Sequence, residues 1–256
     1  VPGVGPACVL DGFVIEGARS APQDDPRAFY ATATKNGGGL YVHESSPTLR
    51  SLVVRKNVVS GAGGGLVLGG DCACTITDCV FTENSAEIFG GGIALFVEGS
   101  PGDFPRVPFL RCRVQTNVAR HPQANITAAG GGIHASGGSA DLQLPTVFDR
   151  CQIVDNQGEE GGGVNASGAS RLVFRSCEIV GNTSIQDNGA RFVGGGLDLG
   201  PGSRTALVQC LVAGNQATSG SGIRYQGTEL SVIQCTVAGN PSEVGRSALD
   251  ATGSGV

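Results

Sequence analysis

The chain has no tryptophan and no methionine, and aromatic residues make up 5% of its 256 positions. Charged residues are also sparse, at 15%, and the net charge of −5 comes without a basic stripe or an aromatic–basic cluster, which argues against nucleic-acid binding. No apolar run approaches the roughly 18 residues that span a bilayer, so we expect no direct membrane insertion. No segment combines helical periodicity with capping residues, which argues against a helical fold.

Glycine, by contrast, is abundant, with 43 residues against a usual share of roughly 7%. The glycines follow no Gly-X-Y period, which excludes collagen, and 40% hydrophobic residues are enough to bury a core. The sequence begins without an initiator methionine or a signal peptide. We therefore interpret it as the mature form, or an excised part, of a longer secreted chain.

Two short motifs alternate along the chain. The first is three glycines followed by an aliphatic residue, and its copies begin at Gly37, Gly63, Gly90, Gly130, Gly161 and Gly194, with a degenerate copy at Gly220. The second is an aliphatic run that ends in asparagine, as in CVFTEN and CQIVDN. Successive asparagines are 27, 33, 39, 26, 33 and 25 residues apart, which indicates a unit of 25 to 27 residues with insertions.

Apolar residues alternate with period two over short runs within each unit, and turn residues bound these runs, which predicts short strands. A unit of this size cannot bury an apolar face alone, so the units must stack. Three short strands per unit, each pairing in parallel with its copy in the next, form a parallel β-helix. We predict an all-β fold, a single β-solenoid domain over residues 1–256 with about eight coils and loop insertions.

Stacking predicts that equivalent residues form columns along the solenoid. One inward column is apolar and contains Phe109, Phe148 and Phe174. A second holds a small, soft residue at a tight bend, and its cysteines are Cys79, Cys112, Cys151, Cys177, Cys210 and Cys235. A third lies where the chain turns, where asparagine tolerates the left-handed conformation and its amides can bond coil to coil; it comprises Asn57, Asn84, Asn117, Asn156, Asn182, Asn215 and Asn240.

The nine cysteines leave two alternatives open, a column of reduced buried thiols or at least one disulfide between neighbouring coils. Cys72 and Cys74 lack a CxxC pair and a histidine at ligand spacing, so we place Cys74 inward and Cys72 in a turn. The GGGLDL segment at Gly194 has no second copy that would support a calcium solenoid. We therefore expect no metal and no cofactor.

The alternation of GGG-aliphatic with runs such as CVFTEN resembles the repeats of polymorphic outer-membrane protein autotransporters. Phrases such as LDGFVIEGA resemble the wider class of bacterial secreted right-handed β-helix proteins, which includes the pectate-lyase-like superfamily. The resemblance covers essentially the whole chain, although glycine replaces the alanine of the autotransporter motif. It implies a right-handed helix, as the rule for parallel crossovers also predicts, and an extracellular or cell-surface protein.

One column immediately after the glycines is the strongest enzyme candidate. It is expected to point outward, and its residues are Tyr41, Val67, Ala94, His134, Asn165, Asp198 and Arg224. The resemblance to polysaccharide lyases implies a basic residue that removes a proton next to a uronate carboxylate; Arg224 or His134 could act as this base, with Asp198 as a ligand or acid. Glu159 and Glu160 could supply the second carboxylate of a glycosidase. The long insertions after Asn117 and Asn182 would wall this face.

The simpler interpretation is that outward residues on a soluble solenoid are polar because they face water. We therefore expect a non-catalytic β-solenoid scaffold with an adhesin-like or structural role. Its expected partners are a glycan ligand and either further coils of the same chain or a second copy stacked end to end, as in a filament. The alternative function is a polysaccharide lyase or glycoside hydrolase that acts on an acidic polysaccharide at the face of His134, Asn165, Asp198 and Arg224.

Overall fold

The structure is a computed structural model that describes residues 4–20, 36–96, 104–123, 126–137, 144–185, 193–242 and 249–251. Every regular element within these ranges is a β-strand, and no helix there is long and apolar enough to cross a bilayer. The strands are two to five residues long, as expected where glycine, asparagine and other turn residues recur every few positions.

The strands form four parallel sheets that run along the solenoid. Sheet 1 contains β1 (Val9–Asp11), β4 (Thr48–Arg50), β8 (Thr75–Thr77), β12 (Pro108–Leu110), β16 (Thr146–Asp149), β20 (Arg171–Arg175), β24 (Arg204–Val208) and β27 (Glu229–Ile233). Sheet 2 contains β2 (Val14–Glu16), β5 (Val53–Arg55), β9 (Val80–Thr82), β13 (Arg113–Gln115), β17 (Gln152–Val154), β21 (Glu178–Val180), β25 (Leu211–Ala213) and β28 (Thr236–Ala238).

The two remaining sheets flank the glycine motifs. Sheet 3 contains the two-residue strands β6 (Val58–Val59), β10 (Ser85–Ala86), β14 (Val118–Ala119), β18 (Gln157–Gly158) and β22 (Thr183–Ser184). Sheet 4 contains β3 (Leu40–His43), β7 (Leu66–Gly69), β11 (Ile93–Phe96), β15 (Ile133–Ser136), β19 (Val164–Ser167), β23 (Leu197–Leu199), β26 (Ile223–Tyr225) and β29 (Leu249–Ala251). Sheets 1, 2 and 4 each have eight strands, which confirms the predicted parallel β-helix of about eight coils.

Sheet 1 stacks its central residues in one inward column. The register aligns Leu10, Leu49, Ile76, Phe109, Phe148, Phe174, Leu207 and Val232. The ring of Phe148 stacks on Phe109 at 4.6 Å and on Phe174 at 5.1 Å between centroids, and all three rings are buried. Val232 is 43% exposed because sheet 1 ends at its strand, so the apolar column loses its cover there.

Asparagines form a continuous ladder inside the corner between sheets 2 and 3. From Asn57 to Asn215, each side-chain Nδ2 donates to the Oδ1 of the next asparagine at 2.9 to 3.0 Å. Each Nδ2 also donates to a backbone carbonyl of the preceding coil, and each Oδ1 in the next coil accepts a backbone N–H as well. The buried amides are thereby satisfied, which is what their burial requires.

The left-handed backbone conformation lies one residue earlier than the sequence pattern suggested. The asparagines do not adopt it; the residues before them do, and these are Lys56, Glu83, Thr116, Asp155, Gly181, Gly214 and Gly239. The residues before the cysteine column behave alike: Ser51, Asp78, Arg111, Arg150, Ser176, Gln209 and Gln234. Each coil therefore turns at a residue on its outer surface, and the asparagine or cysteine that follows this residue points into the core.

The cysteines are unpaired thiols among the described residues, and Cys79, Cys112, Cys151, Cys177 and Cys210 are buried in one column. Cys235 is only half buried, since it lies in the last coil. Cys72 lies in the connection between β7 and β8, where the sequence placed a turn, and it is buried as Cys74 is. Its Sγ contacts the carbonyl oxygens of Gly69 and Val42 at 3.1 and 3.6 Å.

The first and third glycines of each motif have separate roles. The first has a φ between 57° and 71° in all seven copies, a conformation that favours glycine. The third faces the asparagine ladder at close range: a Cβ on Gly163 would lie 2.6 Å from the carbonyl oxygen of Gly196 and 3.0 Å from the Asn182 amide. The motif therefore allows sheet 4 to approach the ladder closely.

Candidate functional site

The outward column of sheet 4 is aligned as the repeat predicts, but it is not solvent-exposed. Pairing places Tyr41, Val67, Ala94, His134, Asn165, Asp198 and Arg224 in register. His134 is 3% exposed and Asp198 is 2% exposed, so the interpretation of these residues as a solvated polar face is wrong for this column. Other residues cover this column on the outer side of the solenoid.

The first half of the covered face is apolar. Ala62, Val67, Ala94 and Phe96 form a second buried cluster outside the main core, and Tyr41 and Phe89 pack against it. Phe89 precedes the Gly90 motif and belongs to a corner column that continues as Ala129, Glu160, Val193 and Ser219. Residues of this corner column therefore lie beside the outward column of sheet 4.

The second half of the covered face is a hydrogen-bonded polar chain. Arg224 Nη1 donates to Asp198 Oδ1 at 2.9 Å, and Asn165 Nδ2 donates to Asp198 Oδ2 at 3.0 Å. Arg224 Nη2 donates to Gln226 Oε1 at 2.8 Å, which fixes the guanidinium. Burial raises the pKa of Asp198 above its usual range, although Arg224 and Asn165 act in the opposite direction.

His134 ends this chain and is stacked against Phe89. The two ring centroids are 4.2 Å apart and the ring planes are 16° apart. Burial lowers the pKa of His134 to about 4, so the imidazole is neutral at pH 7, and a hydrogen bond with the Asn165 side chain acts in the opposite direction. His134 Nδ1 has no hydrogen-bond partner, so Nε2 is the nitrogen that bonds Asn165.

Glu160 reaches the same site from the corner column. Burial raises the pKa of its carboxyl group, and the charge of Asp198 raises it further. Glu159 does not contribute, because its buried carboxylate accepts hydrogen bonds from the backbone N–H groups of His121 and Ala128 at 3.3 and 2.6 Å. Of the two adjacent acids that the sequence suggested, Glu160 alone faces the polar chain.

These side chains line a pocket of about 340 Å³. Its lining comprises Phe89, Thr127, Ala129, His134, Ser136, Glu160, Asn165, Ser167, Asp198, Gly200, Pro201, Arg224 and Gln226. The volume lies at the lower end of the range for small-molecule sites. Thr127 comes from the insertion after Asn117, as predicted, whereas residues 186–192 of the insertion after Asn182 lie outside the described residues.

The pocket brings together all of the enzyme candidates that the sequence suggested except Glu159, namely His134, Asn165, Asp198, Arg224 and Glu160. Its internal bonding limits their chemistry. The guanidinium of Arg224 is held as a hydrogen-bond donor, with Nη1 bonded to Asp198 and Nη2 to Gln226. Arg224 is therefore poorly suited to abstract a proton. Asp198 already accepts a bond on each oxygen, so both residues act as fixed parts of the pocket wall.

Sequence reasoning missed Phe89 and Gln226. Phe89 could have been found, because it stands immediately before a glycine motif at the position that holds Glu160 two coils later. Within the described residues, no group of three or more histidine, cysteine or acidic side chains has the arrangement of a metal site. Asp198, which suggested a calcium motif, is instead an ion-pair partner of Arg224.

The comparisons with known proteins agree with this architecture. Residues 111–255, more than half of the chain, match the model of a family described as the right handed beta helix region. The matched region includes His134, Asn165, Asp198 and Arg224, which form the hydrogen-bonded polar chain. No curated protein and no solved structure gives a significant match.

Proposed function

The chain belongs to the right-handed β-helix family, in agreement with the predicted hand of the solenoid. On that premise we propose that it is a non-catalytic scaffold that binds a glycan in the pocket of sheet 4. One observation carries the proposal. The chain of hydrogen bonds from Arg224 through Asp198 and Asn165 ends at His134, which lines the pocket and whose buried Nδ1 has no partner. A buried acceptor of this kind costs free energy unless a ligand or water satisfies it.

The arrangement favours binding over catalysis because Arg224 and Asp198 are already committed to each other. Preorganised polar groups that hold fixed positions are typical of recognition sites, which combine an apolar wall with a few placed hydrogen-bonding groups. Phe89 supplies such a wall, and Ser136, Ser167 and Gln226 supply further polar groups. Carbohydrate ligands, with apolar ring faces and many hydroxyl groups, match this mixture.

The proposed location of the protein rests on its family resemblance. The resemblance to autotransporter passengers and bacterial secreted β-helix proteins supports an extracellular or cell-surface position with an adhesin-like role. Apolar side chains are exposed where the sheets stop, with Phe13 and Val14 at one end and Val232 and Ile233 at the other. These surfaces support contact with further coils of the same chain or with a second copy stacked end to end.

A polysaccharide hydrolase or lyase is the second candidate, and Glu160 is the observation that favours it. A carboxyl group with a raised pKa is suited to protonate a leaving group, and Asp198 is the neighbouring carboxylate. In a lyase, the neutral His134 would be the base, with Nδ1 as its accepting atom. The substrate of such an enzyme would be an acidic polysaccharide, as the sequence analysis suggested.

The experiment that separates these functions measures binding and turnover on the same samples. The purified protein is applied to an array of plant, microbial and animal glycans, and any ligand is then titrated by calorimetry. Arg224→Gln is expected to weaken binding at least about tenfold, because it breaks the ion pair at Asp198. The matched control is Arg175→Gln, which alters an exposed arginine on sheet 1 and should leave binding unchanged.

Turnover is measured as reducing ends released and as the absorbance of unsaturated uronate products. Neither signal is expected with the bound glycan. A signal that disappears in Glu160→Gln or His134→Gln would replace the scaffold proposal with the corresponding enzyme. A protein that binds no glycan on the array would overturn glycan recognition in this pocket.

A further inference from the structure

Two hydrogen-bond acceptors in the pocket are left for a ligand. His134 Nδ1 is buried without a partner, beneath the ring of Phe89. The carboxylate of Glu160, which is half buried, has no hydrogen bond or ion pair to the described residues. Both groups need a donor, because a neutral imidazole nitrogen with a lone pair and an ionised carboxylate can only accept hydrogen bonds.

The positive charge in the pocket, by contrast, is already used. Arg224 is the one cationic side chain among the described lining residues, and each of its terminal nitrogens donates to a protein oxygen, in Asp198 or Gln226. The charges that face the pocket are therefore the ion pair of Arg224 with Asp198 and the additional carboxylate of Glu160. An anionic ligand would enter a partly desolvated space with no uncommitted cation and a like charge beside it, which is unfavourable.

The polar chain also determines which nitrogen of His134 is the acceptor. Asn165 Nδ2 donates one hydrogen bond to Asp198, so the amide oxygen Oδ1 is the atom that accepts from the imidazole. The Nε2 atom of His134 then carries the ring proton, and Nδ1 has the lone pair. Arg224 and Asp198 are positioning residues in this sense: they orient Asn165, and Asn165 fixes the tautomer.

We infer that the ligand of the pocket is an uncharged sugar residue, which donates hydroxyl hydrogens to His134 Nδ1 and to the Glu160 carboxylate. This inference rests on the proposed function and names its ligand class. The inferred ligand differs from the acidic polysaccharide of the enzyme alternative, because the groups without partners are acceptors and the charge of Arg224 is paired with that of Asp198. With a volume of about 340 Å³, the pocket accommodates a short part of a glycan rather than a long chain.

Calorimetric titration with three matched sets of oligosaccharides tests the inference on the full chain at pH 7. The sets are neutral hexose oligomers, oligogalacturonates and trimethylated chitosan oligomers with quaternary ammonium groups, which carry no charge, negative charge and positive charge respectively. At least one neutral oligomer is expected to bind at least about tenfold more tightly than any charged oligomer, a difference of about 1.4 kcal/mol in binding free energy. A preference for oligogalacturonates or for chitosan would overturn the inference and leave glycan binding intact. No binding in any set would overturn the proposed function as well.

Two variants test the groups that the inference uses. His134→Phe keeps a ring against Phe89 and removes Nδ1, so it is expected to weaken binding of the neutral oligomer at least about tenfold. A derivative of that oligomer that lacks the donating hydroxyl should lose the same factor with the wild-type protein and nothing further with the variant. Independent losses in variant and derivative would overturn the assigned contact, and circular dichroism shows that the variant is folded.

Glu160→Gln separates a neutral ligand from a charged one. With a neutral sugar, the amide oxygen still accepts a hydroxyl, so binding should change less than about threefold. Binding of oligogalacturonates should rise, since the like charge has been removed. A loss of more than about tenfold in neutral-oligomer binding would show that the ligand needs the negative charge and would overturn the inference.

Discussion

The ring of Phe89 lies over the ring of His134 with 4.2 Å between their centroids, although 45 positions separate the two residues in the chain. This contact joins the corner column to the outward column of sheet 4 and excludes water from the imidazole. It converts a residue that would otherwise titrate near neutral pH into a neutral acceptor. The same contact contributes to the burial of this face of the solenoid.

Protein stability should depend on pH through His134. Its pKa is about 4 in the folded protein, against 6.5 for an ordinary histidine, so its contribution to stability is present above pH 6.5 and is lost as pH falls toward 4. Between pH 7 and pH 4.5 this loss is about 2 kcal/mol. Urea denaturation of the wild type and of His134→Gln at both pH values measures it as the difference between the two proteins.

Asp198 and Glu160 act in the opposite direction in both proteins. Their pKa values are raised in the folded state, so their contributions favour folding at low pH and are lost as pH rises through those values. Comparison with His134→Gln cancels these shared contributions. An identical pH dependence in both proteins would contradict the assignment of a neutral, buried His134.

The asparagine ladder should be the most sensitive polar feature of the core. Asn156→Ala removes the acceptor of the Asn117 amide groups and the donor to Asn182 Oδ1 and to the Val114 carbonyl. Because these partners are buried, we expect the free energy of unfolding to fall by about 3 kcal/mol or more. Gln157→Ala, which alters the exposed neighbour, should change it by less than about 0.5 kcal/mol. Equal effects of the two substitutions would mean that the ladder does not stabilise the fold.

The cysteine column should consist of protected thiols. In the native protein without reductant, exposed Cys8 should react rapidly with Ellman's reagent, and half-buried Cys235 more slowly. The seven buried cysteines should react only when the protein unfolds, so all nine should be counted in guanidinium chloride. A count below nine in the denatured, unreduced protein would demonstrate a disulfide between coils. Mass spectrometry of alkylated peptides identifies the residues involved.

The third glycine of each motif should tolerate no side chain. Gly163→Ala places a Cβ 2.6 Å from the Gly196 carbonyl oxygen and 3.0 Å from the Asn182 amide, so backbone or ladder must move. We expect a loss of about 3 kcal/mol in thermal or chemical unfolding. Gly200→Ala is the matched control, since its Cβ would meet nothing closer than 3.4 Å and its loss should stay below about 1 kcal/mol. Similar losses for both would contradict close packing at this corner.

The repeat spacing was sufficient to predict the fold and the register, because in-register stacking forces equivalent residues into the same column. It also predicted which side chains would share the candidate site: His134, Asn165, Asp198 and Arg224 occupy consecutive coils. The intervals between asparagines therefore contain most of the information about topology, and insertions only interrupt it.

Burial of the site could not be predicted in the same way. Period-two alternation distinguishes inward from outward side chains, but it does not show that Phe89 and its column cover the outward face. The left-handed corner was misplaced by one residue, although Gly181, Gly214 and Gly239 precede the last asparagines and mark it. Exposure of Val232 and Cys235 depends on the end of the stack, which the repeat pattern does not describe.

The bonds from Arg224 to Asp198 and from Asp198 to Asn165 each join nearest neighbours in adjacent coils. A coil duplicated between β19 and β23 would fit the glycine corner and extend the asparagine ladder. It would also insert one strand spacing, about 4.8 Å, between Asn165 and Asp198 and break their contact. Gene duplication can therefore lengthen this solenoid on either side of the pocket without altering the pocket, whereas a duplication within it would create a protein of the same fold with a different pocket.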